Sequence, residues 1–412
     1  MIAACLRNAA PFLATGLAAG SAALLGYQAH YSTAVHARDE NLKDFKDTHV
    51  IIVGGGYGGI GAAKKLKDQC KVTLIDARDA FHHNMGAQRS SVETGFAKKC
   101  LIPYKPTFGE NFKRGKVVDV NPSIKVITLE SGEKLAYDDL IIATGTGGPF
   151  PAKLPLDVNK EKAVQRYEDY VKLVKDAMKI GVVGGGAVGV EIAGDIMEDY
   201  KDKADVYLIH PRENLVNDEV NESFQSTIKA KLISLGVNMV LGERVVNMDE
   251  VKEKGFQNVM LVTDKGTKMK VDLVIPCTGL KVNTEAYKNN LGDKMNRLGR
   301  LSVDEFLQVK DVPDVYAIGD CNDVPEIKLA YGAEIQGKYV ADNLKLKHEG
   351  KAMKPYNVNK SVFMVLCCGR SGGAAQVWRG WVFGDWFASM IKGKSVFTPM
   401  QWKNMDQKMP ED

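Results

Sequence analysis

The sequence predicts an α/β fold in which two dinucleotide-binding domains are combined, the first interrupted by the second. Three observations predict it. Val50-Ile51-Ile52-Val53 runs straight into Gly54-Gly55-Gly56-Tyr57-Gly58-Gly59, and a helical pattern, Ile60 to Leu66, follows at once. The same arrangement recurs where Ile180-Gly181-Val182-Val183 meets Gly184-Gly185-Gly186-Ala187-Val188-Gly189 and Val190-Glu191-Ile192-Ala193 opens a helix. Three further apolar strands end in Thr-Gly or Gly-Asp: Leu140 to Gly145, Leu273 to Gly279, and Val315 to Asp320. Such strands return the chain to a nucleotide or hand it to the next domain. The fold class is therefore two Rossmann-like dinucleotide-binding domains, a flavin domain interrupted by an NAD(P)H domain, with a C-terminal interface segment.

The glycines carry the chemistry. Gly54, Gly56 and Gly59 fit G-x-G-x-x-G between a strand and a helix. Gly54 permits the tight turn, Gly56 lets the backbone approach a pyrophosphate, and Gly59 lets helix and strand pack closely. The helix N-terminus then faces the anion. Lys71 to Asp76 is the next strand, and Asp76 at its end can accept hydrogen bonds from ribose hydroxyls. Gly184, Gly186 and Gly189 repeat the device. Two fingerprints imply two dinucleotides, and one bound flavin with one diffusing nicotinamide is the chemical reason to hold both.

Residues 1–48 form a separate element. Ala9 to Tyr27 is an uncharged run rich in Ala, Leu and Gly. As a helix it spans roughly 28 Å, near the thickness of a bilayer core. Gly16-Leu17-Ala18-Ala19-Gly20 is a G-x-x-x-G that can close-pack two such helices. Three roles fit: a membrane anchor, a mitochondrial presequence, since arginine is present and no acid precedes Asp39, and a secretory signal processed near Val35-His36-Ala37. Residues 38–48 are charged and read as a linker.

Residues 49–150 form the first part of the flavin domain. Lys116 to Val120 and Lys125 to Leu129 alternate like strands around a Ser131-Gly132-Glu133 turn. The adjacent His82 and His83 cannot easily share one ion and no further ligands cluster nearby, so no metal site is expected. Residues 151–283 form the NAD(P)H domain. Its strand Asp205 to His210 ends in His210, with Arg212 following, where a ribose-binding acid is the usual ending. A carboxylate there repels a 2′-phosphate, whereas His210 and Arg212 tolerate or attract one, so NADPH is expected to serve as well as NADH. Residues 284–345 return to the flavin domain. Asp320 stands at the end of a sheet strand, either accepting hydrogen bonds from a ribityl chain or capping a helix. Residues 346–412 differ in composition: Trp378, Trp381, Phe383, Trp386 and Phe387 lie among Arg379, Lys392 and Lys394, and Trp402 follows. Clustered tryptophan with lysine and arginine is an interfacial composition, and packing against the flavin domain is the other reading.

With 412 residues the chain is too long for one core. The net charge of +4 gives no case for a specific nucleic-acid partner. The number of cysteines, 7, is odd and no C-x-x-C occurs, which excludes the patterns of a disulfide framework and a zinc site. Cys367-Cys368 reads as two small buried hydrophobes in a strand rather than as a redox pair.

Phe81-His82-His83-Asn84, the run Ser91 to Lys99, Ala143-Thr144-Gly145 with Gly148-Pro149-Phe150-Pro151, and Tyr316 to Cys321 together resemble the apoptosis-inducing-factor-like flavoproteins and the type II NAD(P)H:quinone oxidoreductases. The likeness runs from about residue 49 to the end, and the Ser91 to Lys99 run is the part specific to one subfamily. It implies FAD held by Gly54 to Gly58, Arg89, Val117 and Asp320, with Glu191 beside the nicotinamide and Lys392 near flavin and acceptor. It further implies hydride transfer from NADH or NADPH to FAD, then two-electron reduction of a membrane quinone of ubiquinone or vitamin K type, limiting lipid peroxidation and ferroptosis. A lipid membrane is then a partner, at the mitochondrion, the lipid droplet or the cytoplasmic face of membranes. The familiar member begins Met-Gly and is myristoylated; this chain begins Met1-Ile2 and lacks that acceptor. Two rival functions share the fold: a soluble flavin reductase serving ferredoxin or monodehydroascorbate, and a redox-gated death-signalling protein that binds DNA or a protein partner.

Overall fold

The computed structural model describes residues 44–377 and 380–411. The run from Ala9 to Tyr27, the candidate processing site, Trp378 and Arg379 lie outside the described residues. The folded unit begins at Asp44. Phe45 is buried and stacks on His348, with ring centroids 5.4 Å apart, so the end of the charged stretch expected as a linker packs into the body of the protein.

Five parallel strands form the first sheet, in the order Val315–Ala317, Asp139–Ile142, His49–Val53, Lys71–Asp76, Phe112–Arg114. Strands buried on both faces read as continuous apolar runs, as Val50 to Val53 and Leu140 to Ile142 do. The second sheet runs Asn238–Leu241, Asp205–His210, Lys179–Val183, Lys268–Pro276, Gln257–Val262, with only the last strand antiparallel. Its strands fall in residues 179–276, between those that Asp139–Ile142 and Val315–Ala317 contribute to the first sheet. Thr146–Gly147 pairs with Lys281–Val282 where the chain leaves one sheet and returns from the other.

Registers in the two sheets correspond. Val53 lies opposite Ile75 and Val183 opposite Ile209. Each glycine loop therefore emerges beside the end of its neighbouring strand, where an open parallel sheet offers its binding crevice. Helix Ala330–His348 crosses helix Tyr57–Leu66 at close range: a Cβ added to Gly337 would lie 2.1 Å from the Gly58 carbonyl oxygen. A three-stranded antiparallel sheet, Met364–Cys367, Gly373–Val377 and Trp381–Phe383, lies in the C-terminal segment. A short helix, Asp385–Ala388, continues into a π-helical turn, Ser389–Gly393, which carries Lys392.

Candidate functional site

The two glycine loops share one backbone geometry. Gly54 and Gly184 have φ of +108° and +118°, a region that a side chain rarely adopts. Their amides donate to Ile75 O (2.7 Å) and Ile209 O (2.8 Å). A Cβ on Gly59 would sit 1.8 Å from Gly54 O, and one on Gly189 would sit 1.8 Å from Gly184 O. By contrast, a Cβ on Gly56 or Gly186 would meet no atom within 4 Å. These two glycines are N-caps of helices Tyr57–Leu66 and Ala187–Tyr200, and neither cap has a side-chain hydrogen bond. Each helix start thus presents uncapped amides to open space, the arrangement that takes a phosphate. The residues present fit a dinucleotide at both loops.

Gly55 and Gly58 serve the loop rather than open space. Gly55 N donates to Asp76 Oδ2 (2.7 Å) and its carbonyl accepts from Tyr104 Oη (2.7 Å). Gly58 also forms the close crossing with helix Ala330–His348. Tyr57 Oη bonds His83 Nδ1 at 2.9 Å, and His83 Nε2 meets Val396 O at 2.6 Å. Burial pushes His83 down to about 4, so the ring is neutral at pH 7. His82 bonds Tyr167 Oη at 3.1 Å.

At the ribose end the second loop substitutes one group for another. Gly185 N donates to His210 Nδ1 (3.0 Å), where Gly55 N meets Asp76. Burial lowers the His210 pKa, and Arg212 and Arg244 lower it further. The ring is therefore neutral at pH 7 and does not attract a phosphate by charge; any positive charge there comes from the arginines. Arg212 is half exposed and pairs with Asp218 at 3.1 Å.

A second cluster lies where three parts of the chain meet. Glu191, on helix Ala187–Tyr200, is bonded to Lys392 from the C-terminal π-turn. Cys367 N also donates to Glu191, at 3.2 Å. Arg89, from the first domain, pairs with Asp195 at 3.0 Å. All four side chains are buried and border one small cavity with Met85, Gln88, Cys367 and Val396. Burial alone would lower the Lys392 pKa; Glu191, together with Cys367 and Asp195, more than offsets it and holds the ammonium protonated. Burial pushes Asp195 up to about 6, against the pull of Arg89. Lys392 is thus an enclosed ion-pair partner, not one of the solvated cations of an interfacial stretch. Arg89, expected to hold FAD, is largely spent: Nη2 on Asp195 and Nη1 on Gly393 O, leaving Nε buried without a partner among the described residues.

Asp320 is half-buried and accepts from Thr146 Oγ1 at 2.8 Å. It caps no helix: the helical turn Gly319–Cys321 is preceded by Ile318, and the next helix starts at Ala330. Val117 is buried in the small sheet Val117–Asn121, Val126–Leu129, Lys134–Ala136, at an irregularity of its pairing. Asp195 belongs to no motif, and its only signal in the sequence is that it lies one helical turn after Glu191 and so on the same face. No local pattern marks Arg244; only chain folding brings its segment to His210, where Glu243 N donates to His210 O at 3.1 Å.

The C-terminal aromatics divide. Trp402 is core, its Nε1 donating to Lys99 O at 2.8 Å. Trp381, Phe383, Trp386 and Met390 are exposed, the two tryptophans by 67% and 75%. Cys367 and Cys368 are buried, and burial pushes Cys367 up to about 12, so it is a packed thiol. Among the described residues no helix is long and apolar enough to cross a membrane.

Residues 48–337 match the family described as pyridine nucleotide-disulphide oxidoreductase. The chain belongs to that family. It is a flavin- and pyridine-nucleotide-dependent oxidoreductase. Within the family it is similar to ferroptosis suppressor protein 1 of Taeniopygia guttata, 41% identical over 88% of this chain and 96% of that protein. The protein of the same name from Homo sapiens is 40% identical over 88% of this chain and 97% of its own length. Apoptosis-inducing factor homolog B of Dictyostelium discoideum is 31% identical, covering 84% and 94%. Among solved structures, the sulfide:quinone oxidoreductase of Aquifex aeolicus shares the fold with a TM-score of 0.70 at 18% identity, covering 89% of this chain and 93% of that one. NDH2 of Plasmodium falciparum, in complex with NADH, gives 0.68 at 17%, covering 87% and 99%.

Proposed function

We propose that this oxidoreductase is a membrane-associated, FAD-dependent NAD(P)H:quinone reductase, which converts a quinone of ubiquinone or vitamin K type into its quinol and thereby suppresses lipid peroxidation. The balance is one hydride from NAD(P)H and one proton from solvent or protein delivered to one quinone. The observation that carries the reading is the enclosed Glu191–Lys392 pair, which joins the helix of the second glycine loop to the C-terminal segment. When bound, FAD supplies the acceptor for the hydride and releases two electrons to the quinone.

The first loop, with Asp76 and Asp320, holds FAD; the second, with His210 and Arg212, holds NAD(P)H. Glu191 orients the nicotinamide end and fixes Lys392. The Lys392 ammonium, kept charged by Glu191, offers a proton donor to a carbonyl oxygen of the acceptor. The walls formed by Met85, Cys367 and Val396 exclude water around these groups. The apolar side chains of Trp381, Phe383, Trp386 and Met390 form a surface suited to lipid, where an apolar acceptor resides. The name of the 40%-identical relatives favours this reading over a soluble reductase or a death-signalling role.

Stopped-flow reduction of the FAD-loaded protein by NADH and NADPH, followed by mixing with a short-chain quinone, tests it. Fast reoxidation by quinone is expected, slowed in Lys392→Met while the reduction step persists. Reduction with no quinone-dependent reoxidation would refute the assignment.

A further inference from the structure

Lys392 meets Glu191 across 201 residues of sequence, so its aim depends on what seats the π-turn that carries it. Arg89 holds that turn from the first domain, through Gly393 O. Two further contacts converge on one atom, the carbonyl oxygen of Arg370. Ser389 Oγ, one turn before Lys392, donates to it at 2.8 Å. Gly393, immediately after Lys392, lies against the same oxygen, which a Cβ at Gly393 would meet. The Arg370 carbonyl thus seats the π-turn on both sides of Lys392.

Arg370 stands in the loop between strands Met364–Cys367 and Gly373–Val377, and helix Ala187–Tyr200 fastens that loop. Arg370 N (2.5 Å), Ser371 N (3.0 Å) and Ser371 Oγ (2.6 Å) all donate to the Glu198 carboxylate. Gly369, at φ +79°, brings the backbone so near that a Cβ would lie 2.7 Å from Glu198 Cδ. The guanidinium adds a second set of contacts. Nη1 and Nη2 lie 2.6 and 3.1 Å from the two carboxylate oxygens of Asp199. Nη1 also donates to Glu198 at 3.1 Å and Nη2 to Glu93 at 2.7 Å. A planar fork with fixed donors suits this set, whereas a lysine ammonium is a point charge. Glu93 belongs to the first domain, Glu198 and Asp199 to the second, and Arg370 to the C-terminal segment. All four side chains are partly exposed, so their pairing contributes position more than stability.

Glu191 and Glu198 are two turns apart on one helix, roughly 10 Å along the same face. The partner of Lys392 and the anchor of the loop that seats Lys392 are therefore on one rigid element. We infer that Arg370 is a positioning residue for the acceptor half of the reaction: anchored by Glu198, Asp199 and Glu93, its carbonyl sets the place of the π-turn and so the aim of Lys392. The inference rests on reading Lys392 as the proton donor to the quinone. Arg370 acts through Lys392 and stands outside the small cavity that Lys392, Glu191, Arg89 and Asp195 border.

Stopped-flow measurement on the FAD-loaded full chain separates the two half-reactions. Arg370→Met is expected to accept hydride from NADPH at the unaltered rate. Its reoxidation by a short-chain quinone is expected to be about 10- to 100-fold slower, the effect of misplacing a catalytic group by about 1 Å. Arg370→Lys keeps the charge without the fork and should recover only part of that rate. Ser389→Ala cuts the link to the π-turn while leaving the carboxylates paired, and it should slow the same step even if Arg370→Met folds poorly. The deciding readout is a double-mutant cycle with Lys392→Met. A residue that acts through Lys392 adds nothing once Lys392 is gone, so the double variant should reoxidise as slowly as Lys392→Met alone and no slower. Effects that multiply would make Arg370 a structural residue only and overturn the inference, as would unaltered reoxidation in both Arg370→Met and Ser389→Ala. Unaltered reoxidation in Lys392→Met itself would instead refute the reading of Lys392 as donor, and the inference would fall with it.

Discussion

Gly56 and Gly59 stand in the same loop, yet the structure gives them opposite tolerances. A Cβ on Gly59 would lie 1.8 Å from Gly54 O and 3.0 Å from its carbonyl carbon. An ordinary carbon–oxygen contact is about 3.3 Å, so the turn would have to retreat about 1.5 Å, and both obstructing atoms are backbone. Gly59→Ala is therefore expected to cost about 3 kcal/mol, the upper end of overpacking, or roughly 4 °C in Tm for a chain of this length. At Gly56 the backbone is extended (φ −73°, ψ −168°) and an added Cβ meets nothing. Gly56→Val should cost the flavin-free protein no more than about 1 kcal/mol, the effect of valine at a helix N-cap. Yet it fills the space a pyrophosphate must enter, and loss of one charge-assisted hydrogen bond, about 1.5–3 kcal/mol, weakens flavin binding roughly 10- to 150-fold. The assay pairs thermal melts of deflavinated protein with the 450 nm to 280 nm absorbance ratio after gel filtration. Gly56→Val that keeps a full complement of flavin would refute the assignment of this loop to FAD. Gly56→Val that melts as low as Gly59→Ala would refute the steric argument itself.

Three further outcomes are expected. Lys392→Met leaves Glu191 buried without its cation and should cost about 3–5 kcal/mol in thermal or denaturant unfolding; adding Glu191→Gln should restore most of it. Asp195 has a folded pKa near 6, raised from its ordinary value of 3.8. Between those values the folded state keeps a proton that the unfolded state has lost, so this group makes stability fall as pH rises from about 4 to 6. Asp195→Asn should flatten that part of the stability–pH profile, and an unchanged slope would assign the titration elsewhere. Deleting residues 1–43, which spares Phe45 and its stacking on His348, should leave flavin content and short-chain quinone reduction intact while lowering recovery with liposomes in flotation. Trp381→Ser with Trp386→Ser should lower that recovery further, and unchanged flotation of the double variant would remove this patch from membrane contact.

What the sequence determined by itself was everything that depends on neighbours along the chain. A strand of Val and Ile, a turn that only glycine can make, and the next strand ending in Asp76 or His210 are local patterns, and the backbone geometry of each loop follows from them. The repetition of the whole device, and thus the need for two nucleotides, was equally legible. Tertiary structure alone decided which charges face one another. Lys392 reads as a surface cation among tryptophans, but the π-turn that carries it packs into the second domain, and there only a salt bridge to Glu191 makes its burial tolerable. Arg89 meets Asp195, and Glu243 meets His210, across separations that no local periodicity encodes. Trp402 and Trp386 look alike in sequence, yet one is locked to Lys99 and the other faces solvent. Composition is a property of a segment, whereas burial and pairing are properties of the surfaces that folding brings against it, and so the chemistry of the closed cluster could be read only from the folded chain.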